Sequence, residues 1–186
     1  MNPKVKSAIL SASRHLLMDP THDFSHAQRV HSLCMRIAGR EKRADMEILF
    51  AAAYLHDIAY AKDYENHHLK GAQMAGRILR RCNFPAGKIP PICSCIAKHR
   101  FSAAKKGETI EEKILQDADK LDSMGAIGIA RCYYWTGQRK LPMRVAHAHF
   151  GKKLLRLLSL MNTKEGKRIA KERHNYMQEF LARLED

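Results

Sequence analysis

Long apolar runs are missing from this chain of 186 residues. The longest, Ile48 to Leu55, falls far short of the roughly 20 residues that a membrane-spanning helix requires. The first turns of chain hold no sustained apolar stretch and no small-residue cleavage site, so no secretory leader is expected. The expectation is a soluble, cytoplasmic protein. Acidic residues are in the minority, 19 against 33 Lys and Arg, which gives a formal charge of +14. That imbalance says nothing about fold but favours an anionic partner such as a nucleotide, a polyphosphate or a nucleic acid. The basic residues are spread along the chain rather than gathered in a tail. Cysteines number five, an odd count with no regular framework. Only Cys93 and Cys95 lie close together, nearer than the usual first pair of a zinc site, so reduced buried thiols are expected.

Alternating strand patterns, internal repeats and low-complexity tracts are absent as well, and no stretch has the composition of an interdomain linker. What remains is helical spacing almost throughout. A first helix is predicted from about Lys4 to Met18, stopping before Pro20. A second begins near Asp23 or Ser25 and sets Val30, Leu33, Cys34 and Ile37 on one stripe. Asp45 should cap a third, Met46 to His56, whose apolar run goes all round the helix and so belongs at the centre of the fold. After a loop from about Ile58 to Asn66, a fourth helix is marked by Gly71, Ala72, Ala75, Ile78 and Leu79. A fifth opens at Pro90-Pro91 and a sixth spans Thr109 to Leu121. Val145 to Met161 and Thr163 to Leu184 read as two amphipathic helices. The fold class expected is therefore all-α. The chain reads as a single domain, 1–186, with a core of about 20–132 and a helical extension of about 143–184 packed on it. Tyr133 to Pro142 is the best candidate boundary between them.

Several of these apolar helices carry groups that do not belong in a core. His56-Asp57 closes the most hydrophobic helix of all. His26 sits beside the apolar stripe of the second helix, with Arg29 one turn on. Asp117, Asp119 and Asp122 share a helix with Ile114, Leu115, Ala118 and Leu121. Burying a carboxylate without compensation is expensive. One divalent cation would compensate all three helices at once. Imidazoles and carboxylates together suit Mn²⁺, Fe²⁺, Co²⁺, Ni²⁺ or Zn²⁺ better than calcium, with Mg²⁺ also admissible.

The ordered pieces His22-Asp-Phe-Ser-His26-Ala-Gln-Arg29-Val30, Ala51-Ala-Ala-Tyr-Leu-His56-Asp57-Ile58 and Ile114-Leu-Gln-Asp-Ala-Asp119-Lys-Leu-Asp122 resemble the HD superfamily of metal-dependent phosphohydrolases. The continuation Gly125-Ala-Ile-Gly-Ile-Ala-Arg131 is similar to its small stand-alone bacterial branch, and the likeness spans about residues 20 to 182. The resemblance implies a helical bundle, a divalent ion and hydrolysis of phosphate esters or anhydrides, often in nucleotides. It also implies His26, His56, Asp57 and Asp119 as metal ligands and catalytic residues. Asp117 and Asp122 compete for the last place, and Asp122 could instead orient a ligand from behind.

The resemblance also points to His67, His68 and His99, because extra histidines in comparable places hold a second ion in some such proteins and contact substrate phosphate or do neither in others. One ion is expected, or two if His67 or His68 and His99 take part. Arg29, Lys62, Lys98, Arg100 and Lys120 are the candidate clamps for substrate phosphate, with Arg29 favoured because it lies one helical turn from His26, whereas His147 and His149 read as surface residues. The acid that several relatives carry just after His-Asp is missing from Ile58-Ala59-Tyr60-Ala61, which leaves Asp63 or Glu65 to reach in from the loop. The substrate expected is a small anionic phosphorylated compound. A nucleoside triphosphate cleaved to monophosphate and pyrophosphate is the first choice, and a nucleoside monophosphate or cyclic phosphodiester the second. A basic nucleic-acid-binding module with a structural metal is less favoured, because aromatics for base stacking are few and no binding motif is recognisable.

Overall fold

The computed structural model describes residues 1–41, 43–100 and 106–184. Its helices are α1 (Pro3–Leu16), α2 (Phe24–Ala38), α3 (Met46–Leu55), α4 (His67–Arg81), α5 (Ile89–Lys98), α6 (Ile110–Asp122), α7 (Gly125–Gln138), α8 (Met143–Lys152) and α9 (Lys164–Leu184). The all-α expectation holds, and among the described residues no helix is long and apolar enough to cross a membrane. One small departure stands between α1 and α2. There Met18–Asp19 (β1) pairs antiparallel with His22–Asp23 (β2), a hairpin too short to show any alternation in the sequence.

Local chemistry sets the helix starts. Asn2 accepts from Lys4 N at 2.9 Å with a proline in the first turn of α1. Asp23 accepts from His26 N at 2.9 Å to cap α2, and Asp45 accepts from Glu47 N and Ile48 N to cap α3. At α6 the hydroxyl of Thr109 and the carboxylate of Glu112 satisfy each other's backbone N–H groups. Every residue of α3 from Ile48 to Leu55 is buried, as an apolar surface on all sides requires. The helix is surrounded by α1, α2, α5 and α6. Its C-terminal end, where His56 and Asp57 follow, therefore opens inside the protein rather than at its surface.

The C-terminal helices pack on this body, with α9 lying against α6 and α7. Gly166 lets α9 come close: a Cβ there would stand 2.4 Å from an oxygen of Asp117. The expected boundary at Tyr133 to Pro142 is mostly helix, since α7 runs through to Gln138. The single helix expected over Val145 to Met161 is broken. It stops as α8 at Lys152, and Leu154–Leu160 forms a tighter 3-10 turn that buries Leu154 and Leu157. Gly151 weakens the helix at that point.

Candidate metal centre

Four imidazoles meet around Asp57, and the backbone aims three of them. His56, just past α3, places Nδ1 2.8 Å from Ala53 O. His67, in the first turn of α4, places Nδ1 2.8 Å from Tyr64 O. His99, at the end of α5, places Nδ1 2.6 Å from Ile96 O. A carbonyl only accepts, so each Nδ1 carries a hydrogen, and each Nε2 presents a lone pair when its ring is neutral. The fourth, His26 of α2, donates from Nδ1 to Asp122 Oδ2 at 2.7 Å and presents Nε2 in the same way. Gly71 admits α4 to this cluster, because a Cβ there would stand 3.2 Å from His56 O.

Asp57 divides the four into two pairs. Its Oδ2 lies 3.1 Å from His56 Nε2 and 3.5 Å from His26 Nε2. Its Oδ1 lies 3.2 Å from His99 Nε2 and 3.5 Å from His67 Nε2. Asp119 Oδ1 joins the first pair, 3.6 Å from His26 Nε2 and 4.0 Å from His56 Nε2. The two imidazole lone pairs of His26 and His56 face each other at 3.2 Å. That juxtaposition is repulsive unless something positive lies between them. Ligand atoms held about 2.0–2.2 Å from one ion stand roughly 3.0–3.5 Å apart, so the donor set fits a shared divalent cation. His26–His56–Asp57 and Asp57–His67–His99 each have the spacing of a three-ligand site.

Electrostatics agree. In the protein alone, a proton does the work of the ion. Burial opposes a charge on His56, but the carboxylates of Asp57 and Asp119 outweigh it and push the imidazole up to about 9. Burial likewise resists the charge on Asp57, while His56, His26 and His99 hold its carboxyl well below the usual range. On the other side of Asp57 burial dominates, and His67 is brought down to about 4.

The three acids of α6 separate cleanly. Asp119 opens to the cavity, with about a quarter of its side chain exposed. Asp122 lies behind His26 and also accepts from Arg29 Nε at 2.7 Å and Arg131 Nη1 at 2.7 Å, so it fixes the tautomer and direction of that imidazole. Asp117 faces away and accepts from Asn162 N, Asn162 Nδ2, Thr163 N and Thr163 Oγ1, anchoring the start of α9.

A cavity of about 310 Å³ stands over the cluster. Asp57, Asp119, His67 and His99 line it, together with the cations Arg100, Arg131 and Lys153 and the rings of Tyr60, Tyr64 and Trp135. Between Asp122 and Glu165 the chain carries no acid, so the wall built by α7 and α8 contributes only neutral and basic groups.

Other sequence candidates stand elsewhere. Lys120 is buried, with its ammonium on Leu160 O at 3.1 Å and 3.9 Å from Asp117, at the seam with α9. Arg29 is spent on Asp122 and does not line the cavity, and neither does His68. Among the described residues the acids on the cavity are Asp57 and Asp119; Asp63 pairs with Lys70 instead.

Sequence reasoning passed over His22, whose ring stacks on Tyr60 at 3.7 Å on the cavity wall, although it opens the first motif piece. It also passed over Arg131 as the clamp on Asp122. His149 and Lys153 reach the cavity because α8 ends between them, and periodicity carried no sign of that break.

The profile of the HD domain matches residues 23–124 of the chain. The chain is 36% identical over 174 residues to the protein YpgQ of Bacillus subtilis, covering 88% of this chain and 83% of that one. The crystal structure of B. subtilis YpgQ in complex with ADP superposes with a TM-score of 0.82 at 30% identity, over 98% of this chain and 94% of that one. An HD-superfamily hydrolase from Bacillus thuringiensis superposes with a TM-score of 0.77 at 31% identity, over 97% and 94% of the two chains.

Proposed function

Because the chain belongs to the HD-domain family of metal-dependent phosphohydrolases, we propose that it hydrolyses a nucleotide, with a nucleoside triphosphate cleaved to monophosphate and pyrophosphate as the first choice. The observation that carries this reading is the cavity: imidazole lone pairs and carboxylates at one place, three cations and three aromatic rings around it. A phosphate chain needs the cations, and a flat base needs the rings. The B. subtilis relative binds ADP in its crystal structure, which makes adenine nucleotides the first compounds to try.

His26, His56, Asp57 and Asp119 are the proposed ligands of one divalent transition-metal ion. When bound, such an ion supplies activated water at neutral pH and polarises a phosphoryl oxygen. The chain's own residues do the rest. Asp122 holds His26 in place, and Arg131 holds Asp122. Arg100 and Lys153 take up phosphate charge, since phosphoryl transfer depends mostly on positioning and charge stabilisation. His67 and His99 either complete a second ion site on Asp57 Oδ1 or, once Nε2 takes up a proton, donate to a phosphate oxygen. The chain is proposed as one domain, 1–186, because α6 carries Asp119 for the centre and Asp117 for the seat of α9.

The test is release of phosphate or pyrophosphate from a nucleotide panel with Mn²⁺, Co²⁺ and Mg²⁺. Metal-dependent turnover is expected in the wild type and not in Asp57→Ala. Pyrophosphate as product supports the triphosphate reading, and phosphate alone supports the phosphomonoesterase alternative. Absence of turnover together with salt-sensitive RNA binding would replace the enzyme reading with that of a nucleic-acid-binding module.

A further inference from the structure

A groove of about 500 Å³ runs between α2 and α9 and shares no lining residue with the cavity over the metal centre. One wall is a stripe of α2 at helical spacing: Ser25, Arg29, Ser32 and Arg36. Arg173 of α9 and Ile127 of α7 form the other. Among the described residues that line the groove the one acid is Asp122, which is 1% exposed and already engaged by Arg29, Arg131 and His26. The accessible surface therefore offers hydrogen-bond donors and positive charge with no free carboxylate. Glu165 forms a long ion pair with Arg36 Nε at 3.8 Å, but its closer partner is Arg168 at 2.8 and 2.9 Å, so Arg36 keeps its N–H groups.

Arg173 spends one N–H on Leu121 O and keeps the others. Burial lowers its pKa, Asp122 and Glu172 offset this in part, and the charge of Arg36 lowers it again, so these two guanidiniums repel each other. Guanidinium forks match phosphate oxygens two at a time, and a dianion between them would turn that repulsion into attraction.

We propose that this groove is a second anion site, which takes the phosphate group of a small phosphorylated molecule between Arg36 and Arg173. Ser32 and Gln28 supply further donors on the α2 side. The site is joined to the metal centre through Asp122, which touches both Arg29 on the groove and His26 at the centre. It does not depend on the identity of the substrate hydrolysed at that centre.

The test uses full-length protein stripped of metal by chelation. Inorganic phosphate is titrated by calorimetry, and tungstate is soaked into crystals as an anomalous scatterer. The expected result is tungstate density between Arg36 and Arg173. Phosphate affinity should fall roughly tenfold or more in Arg36→Gln/Arg173→Gln, the loss of charge-assisted hydrogen bonds. The exposed Ser32→Glu places a carboxylate on the stripe without disturbing the core, and decides alone if the double variant does not fold. Lys153→Gln, in the cavity, should leave groove binding intact. No phosphate binding, no density at the groove, or binding lost in Lys153→Gln but kept in Ser32→Glu would each overturn the proposal.

Discussion

The two sides of Asp57 are built from the same residue types and supported differently. On the Oδ2 side, His26 leans on a buried carboxylate that two arginines hold in place, and Asp119 adds a second acid. On the Oδ1 side, His67 and His99 lean on main-chain carbonyls, and no other acid comes near among the described residues. A second carboxylate neutralises an ion, and an Asp behind a histidine makes it a better donor. The Oδ2 side is thus suited to hold a cation permanently. The Oδ1 side is suited to a more weakly held ion, or to a substrate oxygen once an imidazole there carries a second proton.

Removing the shared carboxylate should erase the difference. Asp57→Ala is expected to lose bound metal by elemental analysis and to lose activity by about 10³-fold or more, since several kcal/mol of charge stabilisation disappear. Next in size is Asp122→Asn, which weakens the support behind His26 while leaving every proposed ligand in place. Its metal affinity should fall ~10- to 100-fold, and an unchanged affinity would mean that Asp122 does not support the centre.

His99→Gln probes the other side. One ion should remain, and KM for a nucleotide should rise more than kcat falls. Loss of all metal would show that the two sides are not separable.

The smallest effect is on stability against pH, read from melting of metal-free protein. His56 is raised to about 9 in the folded state from an ordinary 6.5, so its contribution is full below 6.5 and is lost as pH rises to 9. His67 is lowered to about 4, so its contribution is present above 6.5 and lost as pH falls to 4. Added Mn²⁺ should abolish the alkaline decline, because the ion replaces the proton on the Oδ2 side. A decline unaffected by metal would break the link between His56 and the ion.

Much of the Oδ2 side was legible in the sequence, because His56-Asp57 closes the all-apolar α3 and His26 sits beside the apolar stripe of α2, where their cost demands an explanation. The acids of α6 were harder. Asp117 and Asp119 point in nearly opposite directions, so only one can face the histidines, but the pattern does not say which. The answer lies in Asn162 and Thr163, more than forty positions away, whose backbone claims Asp117. The cavity wall was least legible. His149 and Lys153 depend on a helix ending at Lys152, and Arg29, read as a substrate clamp, turns instead to an acid 93 residues distant.

The three carbonyls that aim His56, His67 and His99 belong to Ala53, Tyr64 and Ile96, each three residues upstream of its histidine. Every amino acid carries that atom. Substitution at positions 53, 64 or 96 can reshape the surroundings without deleting an acceptor, so evolution is free to recut the pocket for new substrates while these three rings keep their bearing. His26 has no such insurance. Its orientation hangs on one side chain, and among the supports behind the four rings position 122 has least room to change.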